Sequence, residues 1–486
     1  MEIVRRRRAI GETMNVSPLA RKAKNQKLND EQNTDRISNL PDAILQRILT
    51  LLETKDAVKT STLSKRWQYL WMSITDLVFM EDGPDKRKKR VQFMNFVERV
   101  LVLRESSDLT LFVLSCDVLN DASRINAWIS AAVMHKVQVL SIGLGIDEDS
   151  RCNSEEPIML PHCLFTSESL TYLSLTYFNL ESYVLLKIPS SIWFSSLKTL
   201  KIRFAVFPDD RSMQRLLSGV PVLEDLTLDA CCWWNVRSVC ISAPMLKTLA
   251  IYETVDGLDQ DDCQFLIFGM NLKYFYYGGK LKNEYLFYKT SSLMKAVIYL
   301  GGKDSIEKDK RQREVSYRVH KLLRGLSLVK KLAITPYVIE GLSYAEELLA
   351  HLPVFCNLTC LKFIGEPMNF ASGELGNIIQ KLPCLNSLIF NVGIFLSPYC
   401  EEGEWKLDPV APCFSTHLKS ITIREFGGTK GELHVVNFLL ESALILERLV
   451  ISCSLDKFSG GVGRQKEVHD LLMLSRRSRT CAIEFS

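Results

Sequence analysis

SLTYLSL at residues 169–175, SLKTLKI at 196–202, VLEDLTL at 222–228 and MLKTLAI at 245–251 share one pattern: Leu-x-x-Leu-x-Leu, with other large apolar residues allowed at the last place. Eight further copies lie on either side. They are KVQVLSI (136–142), NLKYFYY (271–277), SLMKAVI (292–298), LVKKLAI (328–334), NLTCLKF (357–363), CLNSLIF (384–390), HLKSITI (417–423) and ILERLVI (445–451), with leading apolar residues 21 to 36 positions apart. In each copy the last apolar pair alternates with single variable residues, the period-two signature of a strand with one buried and one exposed face. One such strand cannot bury its apolar face alone. Stacking successive copies at about 4.8 Å pairs every backbone and makes a continuous apolar spine, so the chain is expected to be an α/β leucine-rich solenoid with one parallel sheet. A run of unrelated strands in a large α/β protein would not repeat the same heptapeptide twelve times. The uneven spacing implies return segments of variable length, some of them helical.

The variable strand positions form the exposed face, where target recognition is expected. They include Tyr172, Thr199, Lys201, Arg203, Asp225, Asp229, Tyr252, Tyr274, Tyr276, Lys331, Lys362, Arg424 and Arg448. The candidate target-binding residues are Tyr172, Lys201, Arg203, Tyr252, Tyr274, Tyr276, Lys331, Lys362 and Arg424. Their mixture of aromatic and basic side chains points to an acidic protein segment, beside the plainer alternative of a solvated face.

The bulk numbers narrow the field. Of the 486 residues, 47% are apolar and 24% charged, ordinary for a globular protein with ample material for an extended core. A net charge of +4, from 60 basic and 56 acidic residues, is too small for a general nucleic-acid binder, so any basic function is local. No window approaches the roughly 18 uninterrupted apolar residues of a bilayer span, and Arg5–Arg8 is followed by polar residues rather than the apolar core of a secretory signal. The expected location is nucleus, cytoplasm or both. The 14 cysteines are scattered through apolar runs, where thiols act as small core residues.

Residues 1–34 are too polar to offset their ordering entropy and are read as a flexible basic arm. Residues 35–80 form a compact helical module, and EDGPDKRKKR at 81–90 a charged linker broken by Gly-Pro. Beyond it Phe93, Phe96, Val97, Val100 and Leu101 recur at helical spacing and predict a capping helix for a solenoid over 91–404. Residues 405–486 complete the array: Phe438, Leu439 and Ala443 predict a helix between two repeat strands, and CAIEF at 481–485 a closing strand. The runs Arg5–Arg8 and Lys86–Arg90 suit either nuclear import or simple solvation.

The helical module reads DRISNLPDAILQRILTLLETKDAVKTSTLSKRWQYLW from Asp35 to Trp71. Pro41 suits a first helical turn, Asp42 favours the positive helix end, and Ile44, Leu45, Ile48 and Leu52 line one side. Thr54 is a candidate cap for a second helix. Leu63, Trp67, Leu70 and Trp71 are expected on one face of a third. A segment under about 40 residues seldom encloses its own core, so another body must cover part of this surface. That body could be a partner or the chain's own repeats.

In its opening DRISNLPDAIL, its centre TKDAVKTS and its closing LSKRWQYLW, this segment resembles the F-box motif, in the form of the plant family that also carries leucine-rich repeats. The resemblance implies binding to a Skp-type adaptor and, through it, to a cullin scaffold of a ubiquitin ligase. Leu40 and Pro41 match that family's opening contact residues. Ile44, Leu45, Ile48, Leu52, Val58, Trp67 and Trp71 align with positions that either pack the motif or face the adaptor. Glu53 stands where a proline is usual before the TK pair. From Trp405 to Ile451 the chain also resembles the FBD motif, with Trp405, Pro412, Cys413, Leu418, Phe426, Gly427, Glu432, Leu446 and Glu447 at characteristic places and a looser fit around His434 and Val435. A structural end-cap is the simplest role for that segment.

Chemistry-bearing motifs are sparse. SGGVGRQK at 459–466 lacks phosphate-loop spacing, Cys356 and Cys360 have no second ligand pair, and adjacent Cys231 and Cys232 are expected on opposite faces of a strand. The seven histidines fall in different repeats without a nucleophile and base beside them. No cofactor, metal or catalytic residue is therefore expected. The resemblance implies a substrate-recognition adaptor whose repeats hold a target for ubiquitination. Two alternatives remain: a protein-binding scaffold outside any ligase, and a nucleic-acid binder acting through the basic runs.

Overall fold

The computed structural model describes residue 37, residues 39–81, 86–104, 108–118, 121–145, 159–178, 184–233, 235–253, 262–301, 309–397 and 409–453, residue 478, and residues 481–485. The basic arm, Trp405 and the glycine-rich stretch at 459–466 lie outside the described residues.

Fifteen strands form one wholly parallel sheet in strict chain order. They are β1 (Asp76–Met80), β2 (Leu111–Asp117), β3 (Val139–Gly145), β4 (Tyr172–Phe178), β5 (Thr199–Arg203), β6 (Asp225–Asp229), β7 (Thr248–Tyr252), β8 (Tyr274–Gly279), β9 (Lys295–Leu300), β10 (Lys331–Ile334), β11 (Cys360–Phe363), β12 (Ser387–Phe390), β13 (Ser420–Phe426), β14 (Arg448–Cys453) and β15 (Ala482–Phe485). All twelve repeats read from the sequence are rungs of this sheet. The closing strand is present as well.

Register explains the heptapeptide. Leu140, Leu173, Leu200, Leu226, Leu249 and Phe275 pair side by side in one row, and Ile142, Leu175, Ile202, Leu228, Ile251 and Tyr277 in the next. All twelve are buried. Each side chain of this size contributes roughly 1.5–3 kcal/mol when removed from water, and the rows run through the sheet as one continuous core. A β-bulge interrupts β13 between Ile423 and Phe426, and Glu425 there takes a positive φ of 54°.

Besides the closing strand β15, two rungs lie outside the twelve copies, although ITDLVF at 74–79 and LTLFVL at 109–114 are variants of the pattern. β1 and β2 extend the sheet toward the N-terminus, so it begins within the stretch expected to be purely helical, and Leu77 and Phe79 already occupy the two buried rows. Helix α3 (Lys86–Leu103) then starts inside the expected linker. Arg90, expected to be a solvated or import-signal residue, is instead buried: its guanidinium bonds Glu81 at 2.9 Å and Asp121 at 3.1 Å. A buried, doubly paired arginine ties α3 to the loops after β1 and β2.

The return segments are mixed. Helix α4 (Ala122–Met134), between β2 and β3, buries Ile125, Trp128, Ile129 and Ala132 in the common core. From β6 to β9 the return segments instead supply a second parallel sheet of Ser238–Ser242, Gln264–Phe268 and Glu284–Tyr288. The face carrying Val239, Phe265, Ile267 and Tyr285 is buried. Phe287 meets Phe275 of the main sheet edge-on at 4.9 Å. The expected strand at Cys231–Cys232 is absent: both residues are buried in an irregular segment holding a single bridge from Cys232 to Val206.

The N-terminal module seals the first edge of the ladder. Helix α1 (Asp42–Leu49) follows Pro41, and the Arg66 guanidinium bonds Asp42 at 2.6 Å and also the Leu40 carbonyl. Helix α2 (Thr54–Lys59) starts from Glu53, not from Thr54. The Thr54 side chain has another use: its hydroxyl, buried, accepts the Val78 N–H of β1 at 2.7 Å. An edge strand presents unpaired backbone groups, and here α2 answers one of them. The expected third helix is replaced by two short 3-10 turns, Thr60–Thr62 and Leu70–Ser73, so Leu63 leaves the face that Trp67, Leu70 and Trp71 share and stands in solvent.

Thr54→Val keeps the shape and removes the acceptor, leaving the Val78 amide buried and unpaired. The expected loss is about 1–3 kcal/mol of local stability, and amide exchange over residues 76–80 should accelerate by about 5- to 150-fold, as read by mass spectrometry.

Candidate functional site

Two surfaces of the described residues bear on function. The first lies on the N-terminal module. Helix α1 is apolar over two adjacent stripes: Leu45 and Leu49, four residues apart, are fully buried, while Ile44 and Ile48 point outward at 44% and 37% exposure. Leu51 and Leu63, at 64% and 67%, and Leu52, Tyr69 and Ile37 are exposed on the same module. So many large apolar side chains left in water on one short module mark an interaction surface.

The structure thereby sorts the candidate adaptor contacts. Ile44, Ile48 and Leu52 are exposed, Pro41 lies on the surface, and Leu40 and Val58 are half-buried against the core. Leu45, Trp67 and Trp71 are taken up by the chain's own core. The Trp71 indole N–H also donates to the Gln68 carbonyl at 3.1 Å. Sequence reasoning did not select Leu51, Leu63 and Tyr69 as contacts, although the α1 period and the break after Thr62 place them on this patch.

The second surface is the outward face of the main sheet. Tyr172, Lys201, Arg203, Tyr252, Tyr274, Tyr276, Lys331, Lys362 and Arg424 all alternate with buried neighbours and share this face. Their environments differ. Lys201 Nζ lies 5.6 Å from the Tyr172 ring centre, and Arg203 pairs with Asp229 at 2.6 Å. Tyr252 lies across Gly278, where an added Cβ would come within 2.8 Å of the ring, so the neighbouring rung needs glycine there. Lys295 and Tyr299 belong to the same face, with Lys295 Nζ 5.9 Å from the Tyr276 ring centre.

Beside Tyr252, Glu253 locks the ends of β7 and β8. Its carboxylate accepts the Tyr277 hydroxyl at 2.6 Å, the Tyr285 hydroxyl at 2.8 Å, and the backbone N–H groups of Lys280, Lys282 and Asn283. Burial first, and the Glu253 charge second, push both tyrosine hydroxyls well above their ordinary range. The arrangement positions tyrosines but holds no displaceable proton near neutral pH.

No group of three or more His, Cys, Asp or Glu side chains among the described residues is placed to hold a metal, and no helix there is long and apolar enough to cross a membrane. Burial raises the Cys116 and Cys231 thiols to about 12. Cys356 alone among the described cysteines is exposed.

The C-terminal end is built from the expected motif residues. Cys413, Leu418, Phe426 and Leu446 are buried. Glu432 is buried too, receiving Gly427 N–H at 3.0 Å and Thr429 N–H at 2.8 Å while Thr429 Oγ1 accepts the Glu432 N–H. This capping box starts helix Lys430–Ser442 between β13 and β14, the place expected from the sequence.

Comparison with known proteins places three domains along the chain. The F-box domain profile matches residues 37–77, the profile for the LRR repeats of the FBD-associated F-box protein At5g56370 matches 125–264, and the FBD profile matches 407–451. The putative F-box/LRR-repeat protein At3g58880 of Arabidopsis thaliana is 30% identical over 442 residues, covering 86% of this chain and 91% of its own. The chain belongs to the F-box/FBD/leucine-rich-repeat family. Two further Arabidopsis thaliana members are the F-box/FBD/LRR-repeat protein At5g56420, 29% identical across 93% of this chain and 99% of its own, and the FBD-associated F-box protein At5g22730, 28% identical across 92% and 94%. The exposed side chains of α1 lie within the residues that match the F-box domain. F-box domains generally serve substrate adaptors, and in this family the leucine-rich repeats are the binding array.

Two outcomes test this description. Glu253→Gln replaces one acceptor oxygen by a donor amide inside a ring of donors, and should lower stability by about 1–3 kcal/mol with faster amide exchange over 277–285. Because a thiol raised to about 12 carries almost no thiolate at pH 8, a maleimide should label Cys356 within minutes and leave Cys116 and Cys231 unmodified until the chain is unfolded.

Proposed function

We propose that this F-box/FBD/leucine-rich-repeat protein is the substrate-recognition subunit of a Skp-cullin-F-box type ubiquitin ligase. The F-box binds the Skp-type adaptor, the adaptor links it to the cullin scaffold, and the repeat face holds a target protein for ubiquitination. One observation carries this reading: the F-box keeps Ile44, Ile48, Leu51, Leu52 and Leu63 outside a core that already contains Leu45, Leu49, Trp67 and Trp71. Apolar side chains that face water in the free chain are stabilised by a protein partner.

The chain supplies placement rather than bond-making. Holding two reactants together turns an encounter into a step within one assembly, so the thioester chemistry of ubiquitin transfer belongs to other subunits and this chain contributes proximity. Leu40, Pro41, Ile44, Ile48, Leu52 and Val58 are assigned to the adaptor interface, with Leu51 and Leu63 added by their exposure. Leu45, Trp67 and Trp71 support it from beneath.

Ile44→Glu combined with Leu52→Glu removes two anchors worth roughly 1.5–3 kcal/mol each, so binding to a purified Skp-type adaptor should weaken at least about 100-fold by calorimetry. Leu328→Glu, exposed on a distant rung, should leave it unchanged. An intact chain that fails to bind the adaptor, or a double variant that binds as tightly as the parent, would sink the assignment. Adaptor binding with no accumulation of captured targets after F-box deletion would instead mark a scaffold outside the ligase pathway.

A further inference from the structure

The outward face of the main sheet changes its electrical character along the ladder. On β5 and β6 the charges are mixed, with Arg203 paired to Asp229 and the Thr199 hydroxyl donating to Asp225 at 3.4 Å. From β7 onward, the outward register rows carry no carboxylate until Glu484 on β15, and that one is bonded to Arg448 at 2.6 Å. Glu425 is exposed beside them in the β13 bulge.

Cations occupy the same stretch. Lys295 on β9 pairs in register with Lys331 on β10, Lys331 with Cys360 on β11, and Lys362 follows two residues along β11 on the same side. Arg424 lies two strands further on, where its guanidinium donates to Asn391 at 3.0 Å. Among the described residues no carboxylate lies within salt-bridge distance of Lys295, Lys331 or Lys362. Burial raises the Cys360 thiol, and the Ser387 hydroxyl and the charges of Lys331, Lys362 and Lys295 on this and the neighbouring rungs all oppose that rise.

The four cations form an oblique stripe crossing four strand steps, about 19 Å at about 4.8 Å per step. An extended segment of about six residues spans that distance. Tyr252, Tyr274 and Tyr276 stand at its β7–β8 end, rigid amphipathic rings of the kind that anchor peptide side chains.

We propose that the outward face of β7–β13 binds an extended acidic segment of the target, its carboxylates along Lys295, Lys331, Lys362 and Arg424 and its apolar end against Tyr252, Tyr274 and Tyr276. This rests on the reading that the repeat face holds the target. The distribution favours carboxylates on a protein over other anions. A continuous polyanion such as a nucleic-acid strand would run on past the tyrosines onto Asp225 and the Arg203–Asp229 pair, whereas a short acidic segment with an apolar end stops before them. Lysines spread over separate rungs meet separate charges, whereas a single phosphoryl group is best matched by a planar arginine fork.

The test uses the full chain and four labelled probes: a peptide of about twelve residues with a Trp-Leu pair followed by six glutamates, its glutamine counterpart, the glutamine peptide with one phosphoserine, and a single-stranded oligonucleotide of like length. By fluorescence anisotropy at low salt, the glutamate peptide should bind at least about tenfold tighter than the glutamine peptide and lose at least about tenfold as salt rises to physiological strength and beyond. Lys331→Glu with Lys362→Glu should cost at least about tenfold for the glutamate peptide, and Lys136→Glu, outside the stripe, nothing. Equal binding of the glutamate and glutamine peptides, no binding of either, an unaffected double variant, or preference for the phosphoserine peptide or the oligonucleotide each overturns the proposal. Adaptor binding is measured on the same preparations and should survive the lysine changes. Its absence from the parent chain sinks the ligase assignment without touching the peptide result.

Discussion

Each strand of the main sheet buries two side chains and shares backbone hydrogen bonds with the rungs beside it, so no rung is stable unless its neighbours are in place. Strict register does the rest. Because the side-chain period is two, a slip of one residue anywhere would turn leucines outward and lysines inward, which holds every outward residue to one row. A binding face made this way is dictated by the core beneath it, and its variable positions can change without disturbing the fold.

The same logic explains the ends of the array. A parallel ladder has two edges, and the two ends of this one are built differently. At the start, α2 lies along β1 and lends it the Thr54 hydroxyl. At the far end, the buried Glu432 cap fixes a helix between β13 and β14, and the short β15 follows. Among the described residues of the C-terminal motif, Cys413, Leu418, Phe426 and Leu446 pack in the core and Glu432 caps a helix, and the F-box doubles as the opening cap of the sheet. What the F-box does not use for closure is the outward stripe of α1.

Most of the ladder was legible in the heptapeptides because one rung's worth of alternation, repeated twelve times, admits one arrangement. β1 and β2 carry the same pattern in variant form, Ile74-x-x-Leu77-x-Phe79 and Leu109-x-x-Phe112-x-Leu114, and with phenylalanine in place of one leucine they read as ordinary apolar runs. The third F-box helix failed for a local reason: Leu63, Trp67, Leu70 and Trp71 have helical spacing, but the chain turns between Ser64 and Tyr69, where Arg66 reaches back to α1. Arg90 misled because a run of basic residues looks alike whether it meets water or, as here, Glu81 and Asp121 from other loops. The division of the F-box residues between inside and outside needed the structure, because Ile44 and Leu45 are adjacent on a helix whose two apolar stripes differ only in what the ladder places beside them.

Joining the F-box to the sheet through β1 also has a metrical consequence. With α2 seated along the first rung there is no swivel between the anchored end and the gripping end, so the separation between them is counted in rungs. Deleting or duplicating one whole repeat between β3 and β7 would move the tyrosine and lysine stretch by about 4.8 Å and rotate it by one step of sheet twist, leaving both surfaces chemically intact. The molecule is thus a graduated spacer, and the number of its divisions sets where a held segment would lie.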